Sequence, residues 1–239
     1  MSRLREWGVE VLVHDAHLPE HSDSVFVFDP ALVTDAGTVV LSMGKALRRG
    51  EEDALASFLE AAGVPVAARI TGEGRVEGGD TLWLDHDTLA VGLGFRTNAE
   101  GVRQLRAALG PLGVTVVAYD LPYFSGPEAC LHLLSLVSPV DVDLAVAYPP
   151  LMPTALWREL ERRGVRLLAV PPAEFERTQG TNVLAVAPRR CILLEGNPVT
   201  RRLLEREACE VATIPGAPLS FKAEGGPTCL TRPVLRDPE

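Results

Sequence analysis

Apolar positions along the chain repeat one pattern several times. Residues 53–70 (DALASFLEAAGVPVAARI) carry apolar side chains at helical spacing as far as Gly63, then switch to a short β-branched run. The same switch recurs over 101–120, 153–171 and 198–215. In the first three a Gly-Val pair follows the helix (Gly63-Val64, Gly113-Val114, Gly164-Val165), as when a glycine C-cap hands the chain to a strand. The fourth carries Ala208-Cys209 there. Apolar runs broken by turn residues predict β-hairpins over 23–42, 80–93, 130–148 and 181–196. A single strand, CLTRPVLR over 229–236, is predicted to close the chain.

Counted from Asp23, Asp80, Cys130, Thr181 and Cys229, the intervals are 57, 50, 51 and 48 residues, so one module is used five times. A hairpin, helix and strand cannot bury their own apolar faces, and such modules must pack on one another. The expectation is an α/β fold in which five blades form a ring, one domain over 1–239. At the start, LREWGVEVLV (4–13) supplies the end of a helix and its strand, with no hairpin before them. Scaled from the repeat, the first module is expected to lack roughly 30 to 40 residues.

With 239 residues, 46% of them apolar, the chain is long enough and apolar enough to bury a real core. Its net charge of −9 and pI near 5.1, without a basic patch, argue against nucleic acid or an anionic membrane face as partner. No run of 18 uncharged apolar residues occurs and the first dozen residues do not read as a signal peptide, so a cytoplasmic protein is expected. Cys130, Cys191, Cys209 and Cys229 show no C-x-x-C spacing, and neither a zinc site nor a disulfide scaffold is expected. Cys130, Cys191 and Cys209 read as core residues.

In a ring of repeats, equivalent positions converge on the axis. At or beside the hairpin starts stand Asp23, Asp29, Glu77 with Asp80, His132, Asn182 and Cys229. Asp80 and Asn182 read as turn caps, because Asp and Asn serve turns for local reasons. Cys229 alone suits a buried apolar position as well as chemistry. It follows Glu-Gly-Gly-Pro-Thr, however, a stretch whose backbone can approach a ligand closely. His132, in the apolar run CLHLL, reads equally as a core histidine in a strand. At matched module positions the two look like a nucleophile and its acid/base partner. Glu77 precedes two glycines, so no side chain next to it blocks a ligand. Arg48 and Arg49 in ALRRGE, and Arg96 in GFRTN, suit either a solvated surface or a clamp on a carboxylate.

DSVFVFDPALVT (23–34), RRGE (48–51), VEGGD (76–80), RTNAEGVRQL (96–105), LHL (131–133) and GGPTCLT (225–231), in this order, resemble the pentein superfamily of guanidine-modifying enzymes. The likeness is greatest to the dimethylarginine dimethylaminohydrolase family, and it implies a five-bladed α/β propeller, here incomplete at the N-terminus. It implies a covalent mechanism in which Cys229 attacks a guanidinium carbon and Asp29 and Glu77 hold its N–H groups. His132 would serve as acid and then base. Arg49 and Arg96 would bind the substrate carboxylate and Asp23 its α-amino group. No metal or organic cofactor is implied; the partner is a small guanidino compound, and a homodimer is left open. Phe28 stands where the family usually has glutamate, which removes a negative charge near the substrate. Leu134 stands where arginine deiminases carry an acid, which argues against plain arginine deimination. An amidinotransferase, deiminase or ureido hydrolase of the superfamily, or a non-catalytic homologue that binds arginine-like ligands, is the alternative.

Overall fold

The switch from helix to strand builds the same three-stranded module four times in the computed structural model, which describes residues 1–217 and 219–235. A short helix, α1 (Ser2–Glu6), comes first. The first module comprises β1 (Ala31–Thr34), β2 (Gly37–Val40), α2 (Glu51–Ala61) and β3 (Val66–Arg69); the second β4 (Thr81–Trp83), β5 (Thr88–Leu93), α3 (Ala99–Leu109) and β6 (Thr115–Asp120). The third comprises β7 (Val137–Asp141), β8 (Leu144–Ala147), α4 (Thr154–Arg162) and β9 (Arg166–Ala169). After α5 (Pro172–Thr178) the fourth follows as β10 (Leu184–Ala187), β11 (Arg190–Leu194), α6 (Pro198–Arg206) and β12 (Glu210–Ile214), with α7 (Ser220–Ala223) behind it. In every module the hairpin is antiparallel, and the helix returns the chain so that the third strand lies parallel to the hairpin's second. That second strand is central and hydrogen-bonded on both edges.

The helix stops fall at the expected residues. Gly63, Gly113 and Gly164 take φ of 88°, 81° and 76°, the left-handed region that glycine enters without cost. Ala208 takes the same role at φ 60°, where a Cβ costs about 1–2 kcal/mol. Asn98 caps α3 by accepting the Gly101 N–H at 2.8 Å.

The chain divides into two units. One holds residues from Ala16 to Leu133 and the segment from Cys229 onward; Leu32, Val39, Leu89, Val91, Leu105 and Leu109 fill its core. Each buried leucine contributes about 1.5–3 kcal/mol. The other holds Met1–Asp15 and Leu134–Thr228, with a core of Val140, Leu144, Val146, Cys191, Leu193 and Leu204. No helix among the described residues is long and apolar enough to cross a membrane.

Three expectations need correction. Residues 9–13 and 229–235 form no strand among the described residues, and Arg236, the last residue of the predicted closing strand, lies outside them. A strand is completed by a neighbouring strand, and neither segment joins any of the four sheets among the described residues. The hairpin expected from residue 23 begins only at Ala31, leaving Asp23 and Asp29 in turns. His132 lies in no strand either: it precedes a 3₁₀ turn, Leu133–Ser135, because the Leu133 N–H goes to the Asp80 carboxylate rather than to a ladder.

Candidate active site

The site is built on the turn Gly78–Asp80, which follows Glu77. The Gly78 N–H donates to the Asp29 carbonyl at 2.8 Å and the Gly79 N–H to Asp29 Oδ1 at 2.9 Å. A Cβ on Gly79 would stand 2.5 Å from His132 Nδ1 and 3.0 Å from Asp29 Oδ1. Only glycine lets this backbone press against both side chains.

Above the turn, Glu77 Oε2 and His132 Nε2 lie 2.7 Å apart, with Glu77 fully buried and His132 6% exposed. Glu77 Oε1 accepts the Lys45 N–H at 2.9 Å and lies 3.8 Å from Arg96 Nη1. Cys130 Sγ sits 3.9 Å from His132 Nδ1. Burial alone would lower the imidazole pKa, but the neighbouring Cys130 sulfur, the Asp29 charge and the hydrogen bond with Glu77 hold it well above its ordinary value. A protonated imidazole is thus available at neutral pH.

Asp29 is gripped from the other side. Arg48 Nη1 donates to Asp29 Oδ2 at 2.5 Å, while its Nε and Nη2 fork onto Glu51 at 2.7–3.1 Å and Nη2 also donates to the Phe26 carbonyl at 2.9 Å. All three side chains are buried. Burial would raise the Asp29 pKa, but His132, Arg48 and the Gly79 N–H together hold it below its ordinary value, so it is a carboxylate. Glu51 opens α2, so the start of that helix fixes the arginine that fixes Asp29.

Cys229 is half-buried; its carbonyl accepts the Phe28 N–H at 3.2 Å, which puts it beside the Asp29 turn. Glu77, His132, Asp29 and Cys229 therefore belong to one unit. Arg96 is buried in the same unit, with no hydrogen-bond partner for its Nε among the described residues. Asp23 pairs with Lys45 at 2.6 Å. Arg49 points outward, its Nε 3.4 Å from the Met43 carbonyl.

Asp80 is not the turn cap expected: its carboxylate serves Thr97 Oγ1 at 2.6 Å and the Leu133 N–H at 3.0 Å, far away in sequence. Burial pushes it up to about 6, opposed by the His132 charge and by these two donors. Asn182 lies in the other unit and accepts the Thr228 N–H at 3.0 Å. Cys130 is a half-buried neighbour of His132 rather than a core residue. Cys191 and Cys209 are core, and burial pushes the Cys191 thiol up to about 12. Arg232 stacks 3.6 Å from the ring of Phe28 and donates to its carbonyl. Thr97, Lys45 and Arg232 carry little local signal, because their partners lie outside their own motifs.

Asp29, Glu77 and His132 are close enough to share a cation. Asp29 already accepts from Arg48 and Gly79, and Glu77 from Lys45, and the Arg48 guanidinium supplies the positive charge at Asp29, so the group fits a metal poorly. The acidic group Asp85, His86 and Asp87 is largely exposed.

Comparison with known proteins bears on this arrangement. The family model described as N,N dimethylarginine dimethylhydrolase, eukaryotic, matches residues 1–233. The chain is 33% identical over 193 residues to an arginine deiminase of Mycobacterium marinum, covering 68% of this chain and 47% of that protein. It thus spans about half the length of the curated arginine deiminases it matches. A protein of Aeropyrum pernix is 29% identical over 220 residues, 91% of this chain and 75% of its own. Among solved structures, DDAH from Pseudomonas aeruginosa, a cysteine-to-serine variant complexed with citrulline, superposes with TM-score 0.73 at 26% identity, covering 88% of this chain and 76% of that one. The N-terminal domain of ArgZ, an arginine dihydrolase from cyanobacteria, gives TM-score 0.80 at 22% identity, covering 98% and 86%, a likeness of fold.

Proposed function

This chain belongs to the N,N dimethylarginine dimethylhydrolase family of the pentein superfamily and has its α/β propeller fold; on that premise we propose that it is a thiol hydrolase of guanidino compounds, with Cys229 as nucleophile and an N-methylated arginine as substrate. The observation that carries this reading is the buried contact of 2.7 Å between Glu77 and His132, beside Asp29 and in the same unit as Cys229.

The Cys229 sulfur forms a bond to the guanidinium carbon, pushing a C–N π pair onto nitrogen. Asp29 and Glu77, both acceptors, hold the planar group by its N–H donors so that its face meets the sulfur. When the tetrahedral carbon collapses, the alkylamine leaves with its electron pair and takes the proton of His132. An S-linked thiouronium remains. Water then bonds to that carbon and gives one proton to His132, the C–S bond breaks and the thiolate returns, and the remaining hydroxyl proton passes to solvent as the ureido product is released. The raised pKa of His132 suits the first step, which needs the acid form. Arg96, and Arg49 by reorientation, would receive the carboxylate, and Asp23 the α-amino group once Lys45 is displaced. A catalytic thiol suits the reducing cytoplasm.

A second reading, deimination of arginine, is favoured by the arginine deiminases among the relatives. Leu134, non-acidic where the resemblance puts an acid in arginine deiminases, favours the first, whereas Phe28 removes a charge that dimethylarginine hydrolases usually carry. The test is incubation with dimethylarginine, arginine and citrulline, following amine and ammonia release. Amine release from dimethylarginine, lost by about 1000-fold or more in Cys229→Ser, is expected. No turnover of any of these, together with no thiol labelling at Cys229, overturns the enzyme reading.

A further inference from the structure

Glu77 and His132 come from segments 55 residues apart, and neither is held in place by a strand. Their contact needs something else to fix it. Asp80 stands three residues after Glu77 and is fully buried. Its Oδ1 accepts the N–H of Leu133, the residue after His132, at 3.0 Å; its Oδ2 accepts the Thr97 hydroxyl at 2.6 Å. The same hydroxyl accepts the Glu77 N–H at 3.2 Å. One carboxylate thereby ties the backbone of Glu77, through Thr97, to the backbone beside His132. A turn needs no buried carboxylate, and burying one without a directly bonded cation is costly. A neutral asparagine or serine would serve a turn as well.

We infer that Asp80, acting through Thr97, is a positioning residue that holds Glu77 and His132 in register for reaction. The inference rests on the hydrolase reading for the meaning of that register, not for its existence. Asp80 also places a negative charge near His132, so it supports the protonated imidazole as well as its position.

The test uses Asp80→Asn, Thr97→Val and Thr97→Ser in the full chain, with urea denaturation to show that each is folded. For dimethylarginine, kcat is expected to fall about 10- to 100-fold in Asp80→Asn and Thr97→Val with KM within about threefold, as for a misplacement of reacting groups. Thr97→Ser, which keeps the hydroxyl, recovers most of the loss. In Asp80→Asn the alkaline limb of the pH profile moves to lower pH, a shift that a purely structural role does not produce. Unchanged kcat and pH limb in folded Asp80→Asn, or a loss confined to KM, overturns the inference. If Asp80→Asn does not fold, Thr97→Val against Thr97→Ser decides by the same kcat readout. If the wild type turns over no compound, the hydrolase reading fails separately, and His132 titration by ¹⁵N NMR decides: a lower imidazole pKa in Asp80→Asn supports the positioning role, and an unmoved one overturns it.

Discussion

Two buried glutamates, one in each unit, show how the same module supports structure in one place and chemistry in another. Glu174 is 6% exposed and accepts the Val199 N–H at 2.7 Å, the Thr200 N–H at 2.9 Å and the Thr200 hydroxyl at 2.7 Å. It satisfies the first turn of α6, whose N–H groups and dipole favour an anion. Glu77 accepts one backbone N–H and turns its other oxygen to an imidazole. The first carboxylate is used up by the fold. The second is held by the fold but spends half its hydrogen-bonding capacity on a group that can exchange a proton. Around Glu77 the buried set includes Asp29, Arg48, Glu51, Asp80, Arg96 and His132, whereas among the described residues of the other unit the buried polar ones are Glu174 and uncharged side chains. A concentration of buried, mutually paired charge is the physical mark of the site, because such charge is expensive where only stability is at stake.

The sharpest way to break this contrast is Arg48→Met. It leaves Asp29 and Glu51 buried without their cation, and urea denaturation is expected to show a loss of about 3–5 kcal/mol. A loss below about 1 kcal/mol would mean that the network contributes little more than surface pairs do.

The pH dependence of stability comes next. Asp80 is raised from 3.8 to about 6, so its contribution is fully present below about pH 4 and is lost as pH rises through about 6. The slope corresponds to about 3 kcal/mol across that window and should vanish in Asp80→Asn. His132 is raised as well, so its contribution is present below its ordinary 6.5 and is lost as pH rises through its higher folded value. Asp29, lowered, works in the opposite direction: its contribution is present above 3.8 and is lost as pH falls through its folded value. Unfolding midpoints of wild type and Asp80→Asn over this range check the assignment.

The smallest effect sharpens the other side of the comparison. Glu174→Gln keeps the shape but sets an amide N–H₂ against N–H donors, and is expected to cost about 1–3 kcal/mol in the unfolding free energy. Turnover at saturating substrate should be unchanged below the unfolding transition. A fall in kcat in the folded variant would show that Glu174 is not purely structural.

Much of the fold was legible beforehand for a local reason. The helices before β3, β6, β9 and β12 stop at Gly63, Gly113, Gly164 and Ala208 because a left-handed residue is needed there, and three of the four are glycine. The hairpins follow from alternating apolar runs and turn residues. Residues 9–13 and 229–235 carried the same local signal and failed to form strands, since a strand is completed by a partner, not by its own sequence.

Within the site the division runs between residues as close as Arg48 and Arg49. Both stood open as carboxylate clamps on the same local pattern. The first is 4% exposed and locked to Asp29 and Glu51; the second faces outward. Adjacent side chains leave the backbone in different directions, and only the packing of the start of α2 decided which would be buried. The sequence by itself determined the modules, their stops and the reactive types at their starts, because periodicity, glycine conformation and side-chain chemistry are local properties. Tertiary structure alone decided that Asp80 serves Thr97 and Leu133 rather than its own turn, and that Glu77 meets His132 from 55 residues away. Those bonds close between segments whose approach is set by the burial of apolar cores.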